Sequence, residues 1–306
     1  MTEPKVSIIS PCYNGEKYIP RFLESLVGQT YGNVEFFFID DGSTDGTHAV
    51  FESYRPALEA KGWEVHYIRQ ENTGAAGALN NGLKRFTGEY LMWPDSDDIL
   101  GPDNLRRKVE FLEAHKEAGI VYHPVEYVYE HDLETVFRSK APLKNADMFR
   151  KVFDRSPHVM WQPISCMARS SALLDAIPDR DIYISRGGQN AQIYLPLLMK
   201  YPYGVIDEPL ARYVVRKGSH SRSENSGLKR RMYRFDICWH TVDRLPCSTA
   251  RKRRMKLLLL LRHAKSLLTV AGEKIFCWKK ENGVKSITLF GIRIASRKAS
   301  GRKKKA

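Results

Sequence analysis

Short, nearly all-apolar runs alternate with helix-patterned segments through the N-terminal third of the chain, and this alternation constrains the fold more than any other feature. Four runs of strand length, rich in β-branched and aromatic residues, lie at 6–10, 34–39, 65–69 and 90–93. Between the first two, apolar residues recur at helical spacing, as at Ile19, Phe22 and Leu26. Strands that are apolar on both faces and alternate with helices form parallel sheets with right-handed crossovers. The sequence therefore predicts an α/β fold with a doubly wound, mostly parallel sheet flanked by helices.

The net charge of +14 comes from the C-terminal third. Residues 1–211 contain 22 Lys and Arg against 30 Asp and Glu, whereas residues 212–306 contain 27 against 5. A polar stretch at 219–227 precedes most of the basic part and is typical of a loop. We therefore predict one catalytic domain over 1–225 and a basic C-terminal helical region with a tail over 226–306.

The basic region contains a helical pattern of its own. Arg251–Lys256 is almost wholly cationic, Leu257–Leu261 is wholly leucine, and apolar residues continue at helical spacing to Ala271. Cations beside an apolar face predict an amphipathic helix that lies on an anionic membrane surface. The alternative is a helix that packs on the catalytic domain with its lysines in solvent. No nucleic-acid recognition motif accompanies the charge, so no nucleic-acid partner is expected.

Cysteine usage and apolar run lengths predict the compartment. The five cysteines are scattered and include no CxxC pair, which argues against a disulfide framework and a zinc site. Residues 1–5 contain no charged-then-apolar leader, and the longest apolar run is far shorter than the roughly 20 residues that span a bilayer. We expect a cytoplasmic protein, peripheral on the cytoplasmic face of a membrane.

Three carboxylates, those of Asp95, Asp97 and Asp98, follow the fourth run within four residues. Neighbouring carboxylates repel and raise one another's pKa, so such a cluster favours a divalent cation and an anionic substrate. Alternation places Asp95 and Asp97 on one side, just past the carboxyl end of the strand, where open α/β sheets bind ligands. The alternative is a solvated turn that caps the next helix.

Polar loops also follow the first and second strands, at 11–14 and 40–46. No P-loop is present and no G-x-G-x-x-G follows the first strand, so most dinucleotide and P-loop chemistry is excluded. Four segments carry a resemblance to a known family: V-S-I-I-S-P-C-Y-N-G, V-E-F-F-F-I-D-D-G-S-T-D-G-T, N-T-G-A-A-G-A-L-N-N-G and G-E-Y-L-M-W-P-D-S-D-D. In order and spacing they resemble the family-2 glycosyltransferases of the GT-A fold. The resemblance covers about residues 4 to 220, and the segment 286–294 is similar to tails on some bacterial lipopolysaccharide and capsule glycosyltransferases.

The resemblance implies a nucleotide-binding site at these loops. Pro11 and Tyr13 would line the nucleobase pocket together with Asn14, with the Tyr13 ring against the base. Asp41 stands at the position of the family's base-reading carboxylate. Because a carboxylate can accept the imide N–H of uracil, which cytosine lacks, a UDP-sugar donor is favoured. The alternatives are a buried tyrosine at 13 and a helix-capping aspartate at 41.

In the aspartate cluster, the resemblance implies that Asp95 faces the ribose or the sugar. Asp97, with Asp98, would reach a Mg²⁺ or Mn²⁺ that also binds the diphosphate. The position that usually carries Arg is Leu79 here, so a cation expected near the donor is missing, whereas Asn80 stays as a polar contact.

At the position of the general base, this chain departs from the family pattern. The family places a carboxylate at the start of a later helix, where this chain has Gln189 and Asn190, and neither amide accepts a proton at neutral pH. These two would instead orient the acceptor or donor sugar. Candidates for the base are Asp181, Glu208 and His220; His220 also lies in a loop whose arginines would clamp phosphates or simply be solvated.

Taken together, the resemblance and the aspartate cluster imply a metal-dependent, inverting glycosyltransferase that uses a UDP-sugar. Its acceptor would be a lipid-linked or glycan precursor of a surface polysaccharide or a glycolipid. The alternatives are a transferase with another donor or a soluble acceptor, a catalytically weak sugar-nucleotide binder, and a basic nucleic-acid-binding protein.

Overall fold

The computed structural model describes residues 3–139, 141–144, 147–154, 162–185, 188–216, 227–281, 284–289 and 292–298, with only the backbone described for 227–230 and beyond 264. The strands are β1 Val6–Cys12, β2 Val34–Asp40, β3 Glu64–Arg69, β4 Tyr90–Met92, β5 Ile99–Leu100, β6 Ile120–Tyr122, β7 Glu126–Tyr129, β8 Cys166–Arg169, β9 Tyr203–Val205, β10 Ala211–Val215, β11 Phe276–Glu281, β12 Val284–Leu289 and β13 Ile292–Lys298. The α-helices are α1 Ile19–Val27, α2 Thr47–Glu59, α3 Ala75–Leu83, α4 Asn104–Ala114, α5 Met148–Phe153, α6 Ser170–Ala176, α7 Asn190–Lys200, α8 Gly227–Arg244 and α9 Thr249–Ile275. Over these ranges, every helix is too short or too polar to cross a bilayer.

The main sheet has seven strands in the order β3-β2-β1-β4-β8-β6-β9. The first four are mutually parallel, β8 runs antiparallel to both of its neighbours, and β6 and β9 are parallel. A second sheet, β5-β10-β7, adjoins the loop that carries the aspartates. The prediction of an α/β fold with a mostly parallel sheet flanked by helices is confirmed.

Alternating side chains of the central strands fill two apolar layers, one on each face of the sheet. In β2, Phe36 and Phe38 are buried against α1 and α2, whereas Phe37 and Ile39 are buried on the face covered by α3. Burial on both faces explains why this strand is apolar at nearly every position. The strands are therefore held rigidly, and the loops at their carboxyl ends project from a fixed edge.

Lys108 of α4 is fully buried beneath that edge. Its Nζ donates to Asn104 Oδ1 (2.9 Å) and Ile164 O (2.8 Å) and lies 3.7 Å from Met92 Sδ. Burial lowers the pKa of Lys108 from 10.5 to about 7. The unfolded chain therefore binds more protons than the folded protein between these two pH values, so the free energy of unfolding rises with pH across that window.

We expect Lys108→Met to flatten this pH dependence by about 1 kcal/mol per pH unit between about pH 7 and pH 10. The slope of the free energy of unfolding against pH is the quantity to compare. Methionine also changes the absolute stability, because it leaves Asn104 Oδ1 and Ile164 O without their donor. Thermal melts across that range measure it. Lys116→Met, at a 66% exposed side chain, is the matched control. Equal slopes in the wild type and Lys108→Met would contradict the assignment.

The C-terminal region is helical where predicted and then becomes a sheet. α8 and α9 pack together and against the catalytic domain, with side chains of both helices buried beside Phe153 and Leu195. β11, β12 and β13 then form an antiparallel three-stranded sheet that the helical prediction for 226–306 did not include. Its β-branched and aromatic residues, such as Trp278 and Ile287, favour strands over helix. The division of the chain at residues 225 and 226 stays a prediction.

Candidate active site

The three polar loops meet at one edge of the main sheet. β2, β1 and β4 are adjacent and parallel, so the loops that follow their carboxyl ends lie side by side. Hydrogen bonds join them: Asp41 N donates to Cys12 O over 2.8 Å, and Ser10 Oγ donates to Pro94 O over 3.0 Å. The predicted juxtaposition is present, at the edge where open α/β sheets bind ligands.

Asn14 fixes the shape of the first loop. Its backbone has φ 50°, a left-handed conformation that Asn tolerates better than most residues. Asn14 N donates to Ser43 Oγ over 3.0 Å, and Asn14 Oδ1 accepts from Thr44 N over 2.8 Å, which ties the first loop to the second. Beside it, Pro11 is half-buried at the end of β1 and the Tyr13 ring is 53% exposed. An exposed ring on a fixed loop offers a face for stacking on a planar base.

Asp41 is a buried carboxylate that holds the loop after β3. Its Oδ1 accepts from Thr73 N and Gln70 Nε2, both at 2.9 Å, and its Oδ2 accepts from Gly74 N at 2.8 Å. The side chain thereby fixes Gly74 at the N-terminus of α3. Among the described contacts, Oδ2 accepts a single hydrogen bond, so it retains capacity for one donor from a ligand.

Asp97 is paired with a cation from a distant part of the chain. Arg216, just past β10, donates to Asp97 Oδ2 from Nε over 3.1 Å and from Nη2 over 3.0 Å. The Arg216 guanidinium also lies over the Tyr18 ring, 3.9 Å from its centroid. Arg21 of α1 donates to the Asp97 backbone oxygen over 2.8 Å. One carboxylate of the cluster is therefore neutralised by the protein itself.

The other two carboxylates of the cluster lack such a cation. Asp98 is fully buried; its Oδ1 accepts from Val214 N over 3.0 Å, and its Oδ2 has no hydrogen-bond partner. Burial, and then repulsion from Asp97 and Asp95, raises the pKa of the Asp98 carboxyl well above its usual value. Burial and repulsion from Asp97 raise the pKa of Asp95 to about 7. Near neutral pH these two carboxyls therefore tend to retain protons, and a bound cation would favour their ionised forms.

The carboxylates of the cluster could bind a divalent cation if a substrate supplied the remaining ligands. Ions such as Mg²⁺ bind one or two carboxylates together with phosphate oxygens. Over the described ranges, no group of three or more His, Cys, Asp and Glu side chains could hold a metal by itself. Asp97 and the unpaired oxygen of Asp98 are the ligands that this chain would contribute, and a diphosphate would supply the others.

Gln189 reaches the same cluster from the start of α7. Its side chain is 5% exposed, and its Nε2 donates to Asp95 Oδ1 over 3.3 Å. The next residue, Asn190, has a buried Oδ1 with no hydrogen-bond partner. The structure therefore brings Gln189, one of the two predicted amides, beside Asp95, and the contact spans 94 residues of sequence.

Asn80 of α3 anchors the backbone at Ile182, in the stretch that leads to Gln189. Its Nδ2 donates to Ile182 O and its Oδ1 accepts from Ile182 N, both over 2.8 Å. Its neighbour Leu79, where the resemblance expects arginine, is fully buried among apolar residues of α7 and the sheet. A packing residue thus occupies the position of the missing cation.

The candidates for the general base differ in their surroundings. Asp181 accepts from Arg244 over 3.2 Å, and Glu208 pairs with Arg107 over 2.6 Å. Both carboxylates are thus ion-paired with arginine. His220 lies outside the described residues.

Two side chains of α8 that the sequence did not single out, Asp236 and His240, lie beside Ser185 and Tyr183. Asp236 accepts from Ser185 Oγ over 3.3 Å, and His240 Nε2 lies 3.5 Å from Asp236 Oδ1. The His240 ring stacks on Tyr183 with centroids 3.9 Å apart. The i, i+4 spacing of Asp236 and His240 was the available signal, but it resembles that of any surface pair on a helix.

Comparisons with known proteins agree with this architecture. The family model described as Glycosyl transferase family 2 matches residues 7–172. GlyA, a glycosyltransferase of Streptococcus pneumoniae, is 29% identical over 231 residues, which is 72% of this chain and 32% of GlyA. The chain spans about a third or less of the length of curated relatives such as GlyA and the Bacillus subtilis protein GgaB.

Solved structures of glycosyltransferases share the fold. Residues 1–349 of S. aureus TarS, in complex with UDP-GlcNAc, superpose with a TM-score of 0.63 at 22% identity, covering 88% of this chain and 75% of that one. The mannosyltransferase PcManGT from Pyrobaculum calidifontis, in complex with GDP-Man and Mn²⁺, gives 0.57 at 19% identity, covering 89% and 74%. At these identities the likeness concerns the fold alone.

Proposed function

Since the chain belongs to glycosyl transferase family 2, we propose that it transfers a sugar from a UDP-sugar to a hydroxyl group, with inversion and with the help of a divalent metal. The observation that carries the proposal is the meeting of the Asn14, Asp41 and Asp95 loops at one sheet edge, together with the raised pKa values of the Asp95 and Asp98 carboxyls there. A site of this kind suits a ligand that brings both a planar base and a cation-bound diphosphate.

The nucleoside half of the donor would lie against the first two loops. We assign base stacking to Tyr13 beside Pro11 and Asn14, and recognition of the uracil imide to Asp41. The remaining acceptor capacity of Asp41 Oδ2 supports this assignment. The UDP-GlcNAc bound in the TarS structure, a neighbour of the same fold, is consistent with a UDP-sugar.

The diphosphate half would lie over the aspartates. Asp97 and Asp98 would hold a Mg²⁺ or Mn²⁺ there, and Asp95 would face the ribose or the sugar. When bound, the metal supplies Lewis-acid stabilisation of the charge on the departing nucleoside diphosphate. Arg216, already at the cluster, is positioned to exchange its pairing with Asp97 for phosphate oxygens, because guanidinium binds phosphate with paired donors.

The acceptor half would lie at the start of α7. Gln189 and Asn190 would orient the sugar or the acceptor hydroxyl by hydrogen bonds, the unpaired Oδ1 of Asn190 being one available acceptor. The proton of the hydroxyl would pass to a base, for which we propose Asp181 or His220. The amides at the family's base position also favour a second candidate function, a catalytically weak binder of sugar nucleotides.

For the acceptor we propose a lipid-linked or glycan precursor of a surface polysaccharide or a glycolipid, at the cytoplasmic face of a membrane. The four described cysteines are free, which is consistent with a reducing compartment. The cationic C-terminal region is consistent with an anionic membrane surface.

A donor screen tests the transferase proposal. The full chain is incubated with each common UDP-sugar and Mn²⁺, and released UDP is measured. We expect one UDP-sugar to give UDP release well above the others, because slow hydrolysis accompanies donor activation, and we expect EDTA to suppress it. Tight UDP binding without release from any donor would favour the weak binder instead.

A further inference from the structure

α9 packs on the catalytic domain through one face. Met255 is 6% exposed and Leu259 is 7% exposed, and both lie in an apolar cluster with Phe153 and Leu195 of the catalytic domain and Val242 of α8. Their spacing of four residues places them one turn apart on the same side of the helix. This face accounts for the helix-on-domain alternative that the sequence left open.

The opposite face of α9 exposes four leucines, which we call the leucine face. Leu257, Leu258, Leu260 and Leu261 are 56%, 39%, 46% and 59% exposed. Large apolar side chains clustered in solvent are uncommon on soluble proteins and mark interaction surfaces. The leucine face is therefore an interaction surface without a partner among the described residues.

The cations on the packed face of α9 are ion-paired, whereas two arginines beside the leucine face are not. This difference points to an anionic partner. On the packed face, Lys256 pairs with Asp243 of α8 and Arg262 pairs with Asp154 of the catalytic domain, each over 2.6 Å. Arg253 and Arg254, one turn before the leucines, have no ion-pair partner among the described residues, and residues 249–264 include no acidic side chain. The leucine face is therefore bordered by free positive charge.

We propose that the leucine face docks on an anionic membrane, with its leucines at the level of the acyl chains and Arg253 and Arg254 at the lipid phosphates. An amphipathic helix with cations beside an apolar face binds in this way. A second copy of the chain is a poorer partner, because self-pairing of this face would bring the same arginines together. The inference gives the proposed action at a membrane a physical surface, and it is independent of transfer chemistry.

The test is flotation of the full chain with vesicles made of phosphatidylglycerol and phosphatidylcholine in equal parts. We expect the wild type to float with these vesicles and not with phosphatidylcholine alone. The double variant L257Q/L261Q should bind about tenfold more weakly or not at all, because it removes the two most exposed leucines. Arg253→Gln with Arg254→Gln should bind more weakly at low salt and show a reduced salt dependence.

Met232→Gln is the matched control, because it removes a 57% exposed apolar side chain from α8, outside the leucine face. UDP affinity and melting temperature, measured on each variant, separate lost docking from lost folding. Unchanged flotation of L257Q/L261Q would overturn the proposal. So would a wild-type dimer in sedimentation that the double variant converts to monomer without any vesicle binding. Failure of the donor screen leaves the flotation result unaffected, so the two proposals fail separately.

Discussion

Replacing Asp97 by asparagine is expected to lower UDP-sugar turnover by about 100-fold or more, since it removes a charged ligand from the metal that stabilises the leaving group. Metal-dependent UDP binding should be lost with it. Asparagine is nearly isosteric and can still accept a hydrogen bond from Arg216, so the fold should survive. The melting temperature should change little, because the ion pair with Arg216 is lost while one source of repulsion on Asp95 and Asp98 disappears.

Turnover and calorimetric UDP titration with Mn²⁺ measure these effects. Asp207→Asn is the matched control, since it makes the same change at a 67% exposed side chain that pairs with Lys144 on the surface. We expect the control to match the wild type in both assays. Equal UDP affinity in Asp97→Asn and the wild type, with Mn²⁺ present, would show that Asp97 is not a metal ligand.

Replacing Asp41 by asparagine is expected to weaken UDP binding by about 10-fold to 100-fold. The carboxylate accepts from the backbone N–H groups of Thr73 and Gly74 on different oxygens. An asparagine side chain has one carbonyl oxygen, so its NH₂ group must face one of these donors, and an unpaired buried donor costs about 1–3 kcal/mol. The loop shifts, and the proposed acceptor for the uracil imide is lost with it.

The preference for UDP over CDP should shrink in Asp41→Asn, because the acceptor that separates uracil from cytosine is removed. Competition between the two nucleotides, with melting temperatures alongside, measures this change. Glu71→Gln is the control, because it removes an exposed carboxylate from the same loop. An Asp41→Asn protein that binds UDP and CDP in the wild-type ratio would refute base recognition by Asp41.

Local patterns were enough to predict the half of the fold that carries the three polar loops. β1 to β4 and the helices between them follow from apolar runs and helical spacing, since each element is specified by neighbours within a few residues. The sheet order places their carboxyl ends together because the strands are parallel. For this reason the loops of Asn14, Asp41 and Asp95 were predictable as a group.

Contacts between distant residues were not predictable in this way. Arg216 pairs with Asp97 across 119 residues, and Gln189 contacts Asp95 across 94. Neither contact has a local signature, because each depends on where β10 and α7 pack against the sheet. The position of β8, which lies between β4 and β6 and runs antiparallel to both, was not predictable for the same reason.

The packing alternative for the basic helix describes one face of α9, and the membrane alternative for the other face stays a prediction. The pattern at 251–264 was compatible with a helix that packs on the domain and with one that exposes leucines. Helical periodicity allows both at once, because Met255 and Leu259 lie opposite Leu257 and Leu261. Only the packing of α9 against α8 shows which residues belong to which face.

The central claim is that the three loops form one nucleoside diphosphate site that is completed by a metal. Calorimetric titration of UDP into the full chain, once with Mn²⁺ and once with EDTA, tests it most directly. We predict binding at about micromolar Kd with Mn²⁺ and at least about tenfold weaker binding with EDTA. Absence of UDP binding under both conditions, by protein that melts cooperatively, would contradict the claim.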